Sequence, residues 1–392
     1  MKKVLIIIAV LLCVFALSNC ISTDEQPELR GITYAGSQSC RKCHQQIYDS
    51  FVQTAHFNTT SNKLPAVVQA SFADGKNIFR FNDSVAVVME KIDGKYYQSY
   101  MRSGKKLFSH PFDIVVGSGR KAQTYLYYND QKKISQLPIS YFMTEHAWAN
   151  SPGFPAEDAK FNRNVPSYCL GCHSSYVSVK QTYQGVAMRE EFEKGKIVYG
   201  IDCERCHGPA LAHVEYFTNH PDVKENKFMT SIKSLNRVQK NDQCALCHSG
   251  FRTVQQSLFK FKPGDKLYDF YAPEFKRLDT ANLDVHGSQT QLMMASKCFQ
   301  QSNSLTCNSC HNVHVKERED LAVFSQRCMN CHQQVKHSFA DNNIQSNCID
   351  CHMPLKPSSI ITMLTNQKHS AVPDSIRTHL VAVYDKAQRV SK

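Results

Sequence analysis

The chain has 392 residues, 42% of them hydrophobic, with 17 Cys, 17 His and a formal net charge of +12. The basic excess does not mark a nucleic-acid binder, because no nucleic-acid fold motif accompanies it. The apolar run from Val4 to Leu17 is too short to cross a bilayer as a helix.

In chain order, Met1-Lys2-Lys3 and that apolar run read as a secretory signal over residues 1–20. Leu17-Ser18-Asn19-Cys20 has the form of a bacterial lipobox, which predicts lipidation of Cys20. Ile21 stands where an Asp would retain a lipoprotein in the inner membrane, so the outer membrane is favoured. Residues 21–36, polar from Ser22 to Gly31, read as a tether. A first site spans 37–64, where Ile47, Phe51 and Ala55 recur at helical spacing between Gln45 and His56.

Residues 65–145 have a different texture. Asn77–Phe81, Val85–Met89, Tyr96–Met101 and Thr124–Tyr128 read as strands, with turn residues at Asp74-Gly75, Asp93-Gly94 and Asn129-Asp130. The expectation is a small antiparallel β insert that acts as a brace. Residues 146–392 form the remaining unit, in which charged Arg189–Ile197 reads as a helix. Thr378–Arg389, with Leu380, Val381 and Tyr384 on one face, reads as another.

Seven copies of Cys-x-x-Cys-His dominate the sequence. Their cysteines are Cys40 and Cys43, Cys169 and Cys172, Cys203 and Cys206, Cys244 and Cys247, Cys307 and Cys310, Cys328 and Cys331, and Cys348 and Cys351. The adjoining histidines are His44, His173, His207, His248, His311, His332 and His352. Each copy is the attachment signature of a c-type haem. Two thiols add to the vinyl groups, and the imidazole takes one axial position on the iron. A disulfide framework does not explain a His after every pair, and zinc ribbons need two pairs per metal. Thioredoxin-like motifs occur once on a βαβ unit. The cofactor expectation is therefore seven covalently attached c-type haems, whose propionates account for much of the Arg and Lys excess. Cys298 stands apart and reads as a buried thiol.

Ten histidines remain for the seven distal positions: His56, His110, His146, His213, His220, His286, His314, His337, His369 and His379. The preferred distal ligands are His56, His213, His286, His314 and His379, then His337 and His146. His314 follows His311 by three residues and cannot reach round the porphyrin to the same iron. On a helix His56 would lie about 18 Å from His44. The distal histidines should therefore stitch different motifs together as bis-His, low-potential sites.

Six motifs fit between Cys169 and His352, too little protein for a conventional core around each cofactor. The predicted fold is a mainly α and irregular chain wrapped on stacked haems, with the β insert beside it. Particular stretches resemble a known group. They are Gly36-Ser37-Gln38-Ser39-Cys40 through Thr54-Ala55-His56, Gly200-Ile201-Asp202-Cys203 through Gly208-Pro209 with His213, Leu305-Thr306-Cys307 through Val313-His314, and Cys351-His352-Met353-Pro354. Over roughly 34–382 the chain resembles bacterial multihaem c-type cytochromes related to the tetrahaem electron acceptor of hydroxylamine oxidoreductase. That resemblance implies haems in stacked and perpendicular pairs, mostly bis-His, serving respiratory electron transfer.

The functional expectation is an exported electron carrier in the periplasm or outer membrane, working with redox protein partners and held to the membrane by its lipid. The alternative is an oxidoreductase acting on a small nitrogen or sulfur compound at one five-coordinate haem. No motif replaces its His by Lys, the active-site hallmark of multihaem nitrite reductases.

Overall fold

A computed structural model describes residues 28–185, 187–273, 280–317, 319–334, 337, 346–366 and 371–385. The leader, Cys20, the start of the tether, His369 and residues 386–389 lie outside the described residues.

The chain is not mainly α: about 24% is helix and 28% strand. The strands are β1 (Thr60–Ser61), β2 (Ile78–Arg80), β3 (Val85–Ile92), β4 (Lys95–Arg102), β5 (Lys105–Pro111), β6 (Ile114–Val116), β7 (Ala122–Tyr128) and β8 (Ile134–Gln136). There follow β9 (Ile139–Phe142), β10 (Ala147–Asn150), β11 (Arg163–Asn164), β12 (Ser174–Gln184), β13 (Ala187–Tyr199), β14 (Leu355–Thr365) and β15 (Val372–Arg377). β2 to β5 make a four-stranded antiparallel meander. Its β3–β4 hairpin turns at Asp93-Gly94, both with positive φ, the pairing a tight two-residue hairpin requires. A nine-stranded sheet runs β1-β6-β7-β9-β10-β14-β15, with β8 and β11 branching from β7. Its last two strands follow the seventh motif, so the sheet is not confined to the predicted insert.

Two of the expected helices are corrected. Arg189–Ile197 lies in β13, where Phe192 and Ile197 pair with Val179 and Val177 of β12. Glu, Arg and Lys favour helix locally, but cross-strand packing of the buried Phe192, Ile197 and Val177 overrides that weak preference. The described part of Thr378–Arg389 is extended and irregular, and packs along the motif region instead.

The protein core sits between the two larger sheets. Phe79, Val87 and Met89 of the meander pack against Tyr125, Ile139 and Trp148 of the other sheet. Each such buried side chain contributes about 1.5–3 kcal/mol. Gln98, fully buried on β4, bridges the layers by accepting from the Ile139 N–H and donating to the Ile139 carbonyl. The rest of the chain, which carries the motifs, is short helices and loops around a void.

Candidate haem array

Six of the motifs form one helical turn, while in the second the His173 N–H donates to the Leu170 carbonyl at 3.0 Å. The N–H of His44 donates to the Cys40 carbonyl at 2.8 Å, and the same bond closes the turn at Cys307–His311, Cys328–His332 and Cys348–His352 at 3.0 Å. Cys203–His207 is a helix, and Cys244–His248 ends the helix Arg237–His248. The turn places the first Cys and the His four residues apart on one face, so thiol and imidazole point the same way. Asp202 caps the third motif by accepting from the Arg205 N–H at 2.9 Å, and Asn236 caps the fourth helix through a capping box.

Six of the motifs line a single cavity of about 2430 Å³ with their His and at least one Cys, and the second reaches it through Cys172; the volume is several times what one small ligand needs. Across it the histidines stand in opposed pairs. His56 faces His248 with ring centres 6.1 Å apart, and His314 faces His207 at 6.0 Å. His379 faces His311 at 6.2 Å, and His337 faces His352 at 6.4 Å. Two imidazoles bound to one metal at about 2.0 Å per nitrogen put their ring centres roughly 6 Å apart. The residues present therefore fit an iron between each pair. Among the described residues no three His, Cys, Asp or Glu side chains converge as a closed metal site, and the cysteines of the first five motifs form no disulfide.

Electrostatics agree with that fit. Burial, reinforced by neighbouring histidines, pushes His248 and His379 down to about 4. Burial also lowers His56, His173, His207, His286, His311 and His314. These rings are neutral near pH 7, the form that binds a metal. The Nδ1 atoms of His286 and His379 are buried without a protein partner, a cost that proteins rarely leave standing. His213 donates Nδ1–H to the Lys227 carbonyl at 2.9 Å, and His352 donates to Ala382 at 2.8 Å. Such outer bonds fix the tautomer that leaves Nε2 free for iron.

The remaining predicted ligands divide. Burial first, and the His286 charge second, lower His173, and the Thr59 hydroxyl holds Nδ1 of His173 at 3.1 Å. His213 lines the cavity. His146 is not brought to it: the residue is exposed in the turn before β10, with φ of 47°. His110 stacks on Tyr127 in the sheets, and His220 stacks on Tyr216.

The motifs are also joined to one another directly. Ser37 Oγ accepts from the Cys203 N–H at 3.3 Å, linking first and third. Arg205 donates to the Gly171 carbonyl at 3.1 Å, linking third and second, and Gln243 donates to the Cys206 carbonyl, linking fourth and third. Asn241 accepts from the Cys307 N–H at 3.1 Å, Arg327 donates to the Cys310 carbonyl at 2.8 Å, and Ser325 accepts from the Cys348 N–H at 2.9 Å. These bonds carry the series through the fifth and sixth motifs to the seventh. Sequence reasoning missed these connectors, and it missed Arg30. That guanidinium is buried against Glu28, Asp202 and Glu204 at 2.8–3.0 Å. Glu204 also accepts from the N–H groups of Ala35, Gly36 and Ala210, pinning the segment before the first motif to the third. No spacing in the sequence connects positions so far apart.

The family described as cytochrome c554 and c-prime matches residues 142–208, which contain the second and third motifs. Multiheme cytochrome MtrA of Shewanella baltica is 25% identical over 197 residues, covering 47% of this chain and 45% of that protein. Dissimilatory sulfite reductase MccA of Wolinella succinogenes is 21% identical over 394 residues, covering 83% of this chain and 51% of that protein. The chain thus spans about half the length of the curated relatives it matches. The crystal structure of outer cell wall cytochrome OcwA superposes with a TM-score of 0.53 at 17% identity, over 89% of this chain and 80% of that one, a likeness of fold.

Proposed function

We propose that this chain, a multihaem c-type cytochrome, is an exported heptahaem electron carrier with predominantly bis-His irons. The observation that carries the reading is the set of four opposed imidazole pairs lining one cavity. When bound, the haems supply one-electron chemistry. The chain's own work is to attach them, hold the imidazoles neutral and oriented, exclude water, and keep neighbouring motifs in register through Ser37, Arg205, Gln243, Asn241, Arg327 and Ser325. Closed low-spin sites change little on electron gain, which suits transfer between redox protein partners rather than bond chemistry.

The same reading treats residues 1–20 as a cleaved leader, 21–36 as a tether, 37–64 as the first haem site, 65–145 as a brace and 146–392 as the six-haem unit. It holds the protein outside the cytoplasm, in the periplasm or outer membrane, on a lipid at Cys20. The printed name of OcwA, an outer cell wall cytochrome, is in keeping with that location. Among the described residues no helix is long and apolar enough to cross a membrane. The stretch Gly200–Pro209 and the matched span 142–208 support a position near the tetrahaem acceptors of hydroxylamine oxidation.

The test is a count and a titration on the purified holoprotein. Iron and covalent haem should both be seven per chain, and an optical titration with mediators should reduce and reoxidise every haem without consuming a small substrate. A count well below seven refutes the heptahaem reading. Cys20→Ala should move the protein from the membrane to the soluble fraction.

A second reading, an oxidoreductase for a small sulfur or nitrogen compound, is favoured by one observation. Among the described residues only four of the motif histidines have an imidazole ring opposed to them, and His44, His173 and His332 are not among those four.

A further inference from the structure

Arg205 lies between the two cysteines of the third motif, but its side chain serves the second and fourth. One terminal N–H group donates to the Gly171 carbonyl at 3.1 Å, the residue before Cys172. Its charge centre lies 5.9 Å from the Phe259 ring. Cys172 Sγ approaches the Leu246 carbonyl at 3.9 Å, next to Cys247. Cys172 and Cys247 pack against one buried cluster, which includes Leu246, Leu258 and Phe261. The guanidinium therefore stands where the attachment edges of the second and fourth haems meet. Its charge is felt there. Cys172 and Cys247 shift through their contact with each other and through burial, and the Arg205 charge lowers both. Burial raises the Cys206 thiol, and the same charge opposes it.

Arg205 is 8% exposed, and its Nε and Nη1 have no hydrogen-bond partner. Among the described residues no carboxylate pairs with the guanidinium; Asp202 and Glu204, near it in sequence, pair with Arg30 instead. A buried cation without a counter-charge is costly, and a guanidinium cannot relieve that cost by losing its proton. Negative charge arriving beside it is favoured, and an electron entering a haem is such a charge.

We infer that Arg205 raises the reduction potentials of the second and fourth haems, so that electrons collect at their junction before passing to the fifth. The inference rests on the heptahaem reading above and adds a place of electron storage to it. A ferric haem core carries one positive charge and a ferrous core none. Each one-electron reduction by a redox partner thus removes a charge that the guanidinium repels, and repulsion in a protein interior is weakly screened. The third haem feels Arg205 against the carboxylates of Asp202 and Glu204, so the net rise falls on the second and fourth. The fourth motif leads onward through Asn241, which accepts from the Cys307 N–H.

The experiment is a mediated redox titration of the full holoprotein, followed optically and by electron paramagnetic resonance. In the unmodified protein the strongly anisotropic signal of the fourth haem, whose imidazoles stand 85° apart, should vanish in the upper half of the titration. Arg205→Gln keeps an amide donor for Gly171 without the charge. It should hold seven haems and move two haem equivalents to lower potential. Arg205→Lys keeps the charge and should titrate like the unmodified protein, whereas a purely structural role would make the two variants alike. A fourth-haem signal that persists to the last stages of reduction overturns the inference, and that result needs no variant to mature. An unchanged titration in Arg205→Gln also overturns it, as does an equal shift in Arg205→Lys. A haem count below seven refutes the heptahaem reading instead, so the two failures are distinguishable.

Discussion

His56 and His248 face each other with ring centres 6.1 Å apart and planes 85° apart, although one follows the first motif and the other closes the fourth. The pairs His207–His314 and His311–His379 are close to parallel, at 21° and 27°. The angle between two axial imidazoles sets how far the iron d orbitals split. Near-perpendicular planes leave two orbitals almost degenerate and give a strongly anisotropic low-spin signal, whereas near-parallel planes give a rhombic one. Electron paramagnetic resonance of the oxidised protein should therefore contain both types. His56→Ala should remove one strongly anisotropic component and add one high-spin haem and one carbon monoxide site.

Arg30 neutralises two carboxylates that have almost no exposure, Asp202 and Glu204. Its removal leaves buried charge without a partner, a cost of about 3–5 kcal/mol. Arg30→Met should lower the unfolding free energy of the holoprotein by that order in denaturant titration. Burial already holds the Glu204 carboxyl above its ordinary 4.5, with Arg30 opposing the shift. A raised folded value means that the protonated form folds without penalty. The defect should be small near pH 4.5 and grow as pH rises through the raised value. A defect that shrinks with rising pH would count against this account.

Gly200, just ahead of the third motif, ties it to the segment that follows the first. Its φ is +66°, its N–H donates to Thr60 Oγ1 at 2.8 Å, and a Cβ there would strike the Phe57 carbonyl oxygen. The next residue, Ile201, donates to the His56 carbonyl at 2.9 Å. Gly200→Ala should cost about 1–3 kcal/mol from the backbone conformation alone. It should also shift His56 off the fourth motif's iron axis, read as a partial high-spin population. Unchanged spectra with lowered stability would separate the backbone effect from the ligand effect.

Gln98→Leu removes both partners of Ile139, whose N–H and C=O are then buried without hydrogen bonds. About 1–3 kcal/mol should be lost, with haem count and spectra unchanged, because the two sheets meet there away from the cavity. Loss of haem in this variant would mean that the sheets shape the array rather than brace it.

The motifs were legible because covalent attachment is local chemistry. Two thiols and an imidazole must share one helical turn, so the pattern survives whatever the rest of the chain does. The sheets were only partly legible. The β3–β4 hairpin announces itself by alternation and by Asp93-Gly94, but β12, β13, β14 and β15 do not. Along them buried, half-buried and exposed residues follow no steady two-residue period, so no alternation marks an inner side, and the charged stretch Arg189–Ile197 imitates a helix. The expectation that cofactors alone form the core led to a mainly α fold, whereas the sheets bury a protein core of their own around Tyr125, Ile139 and Trp148.

The sequence by itself carried seven attachment motifs of the kind c-type haems use, and ten further histidines. Only the tertiary structure decided which imidazole faces which. His56 meets His248 and His314 meets His207 across long stretches of chain, and no periodicity encodes such pairs. They are set by where Arg30, Thr60, Gly200 and Asn241 dock one segment on another, a matter of packing in three dimensions.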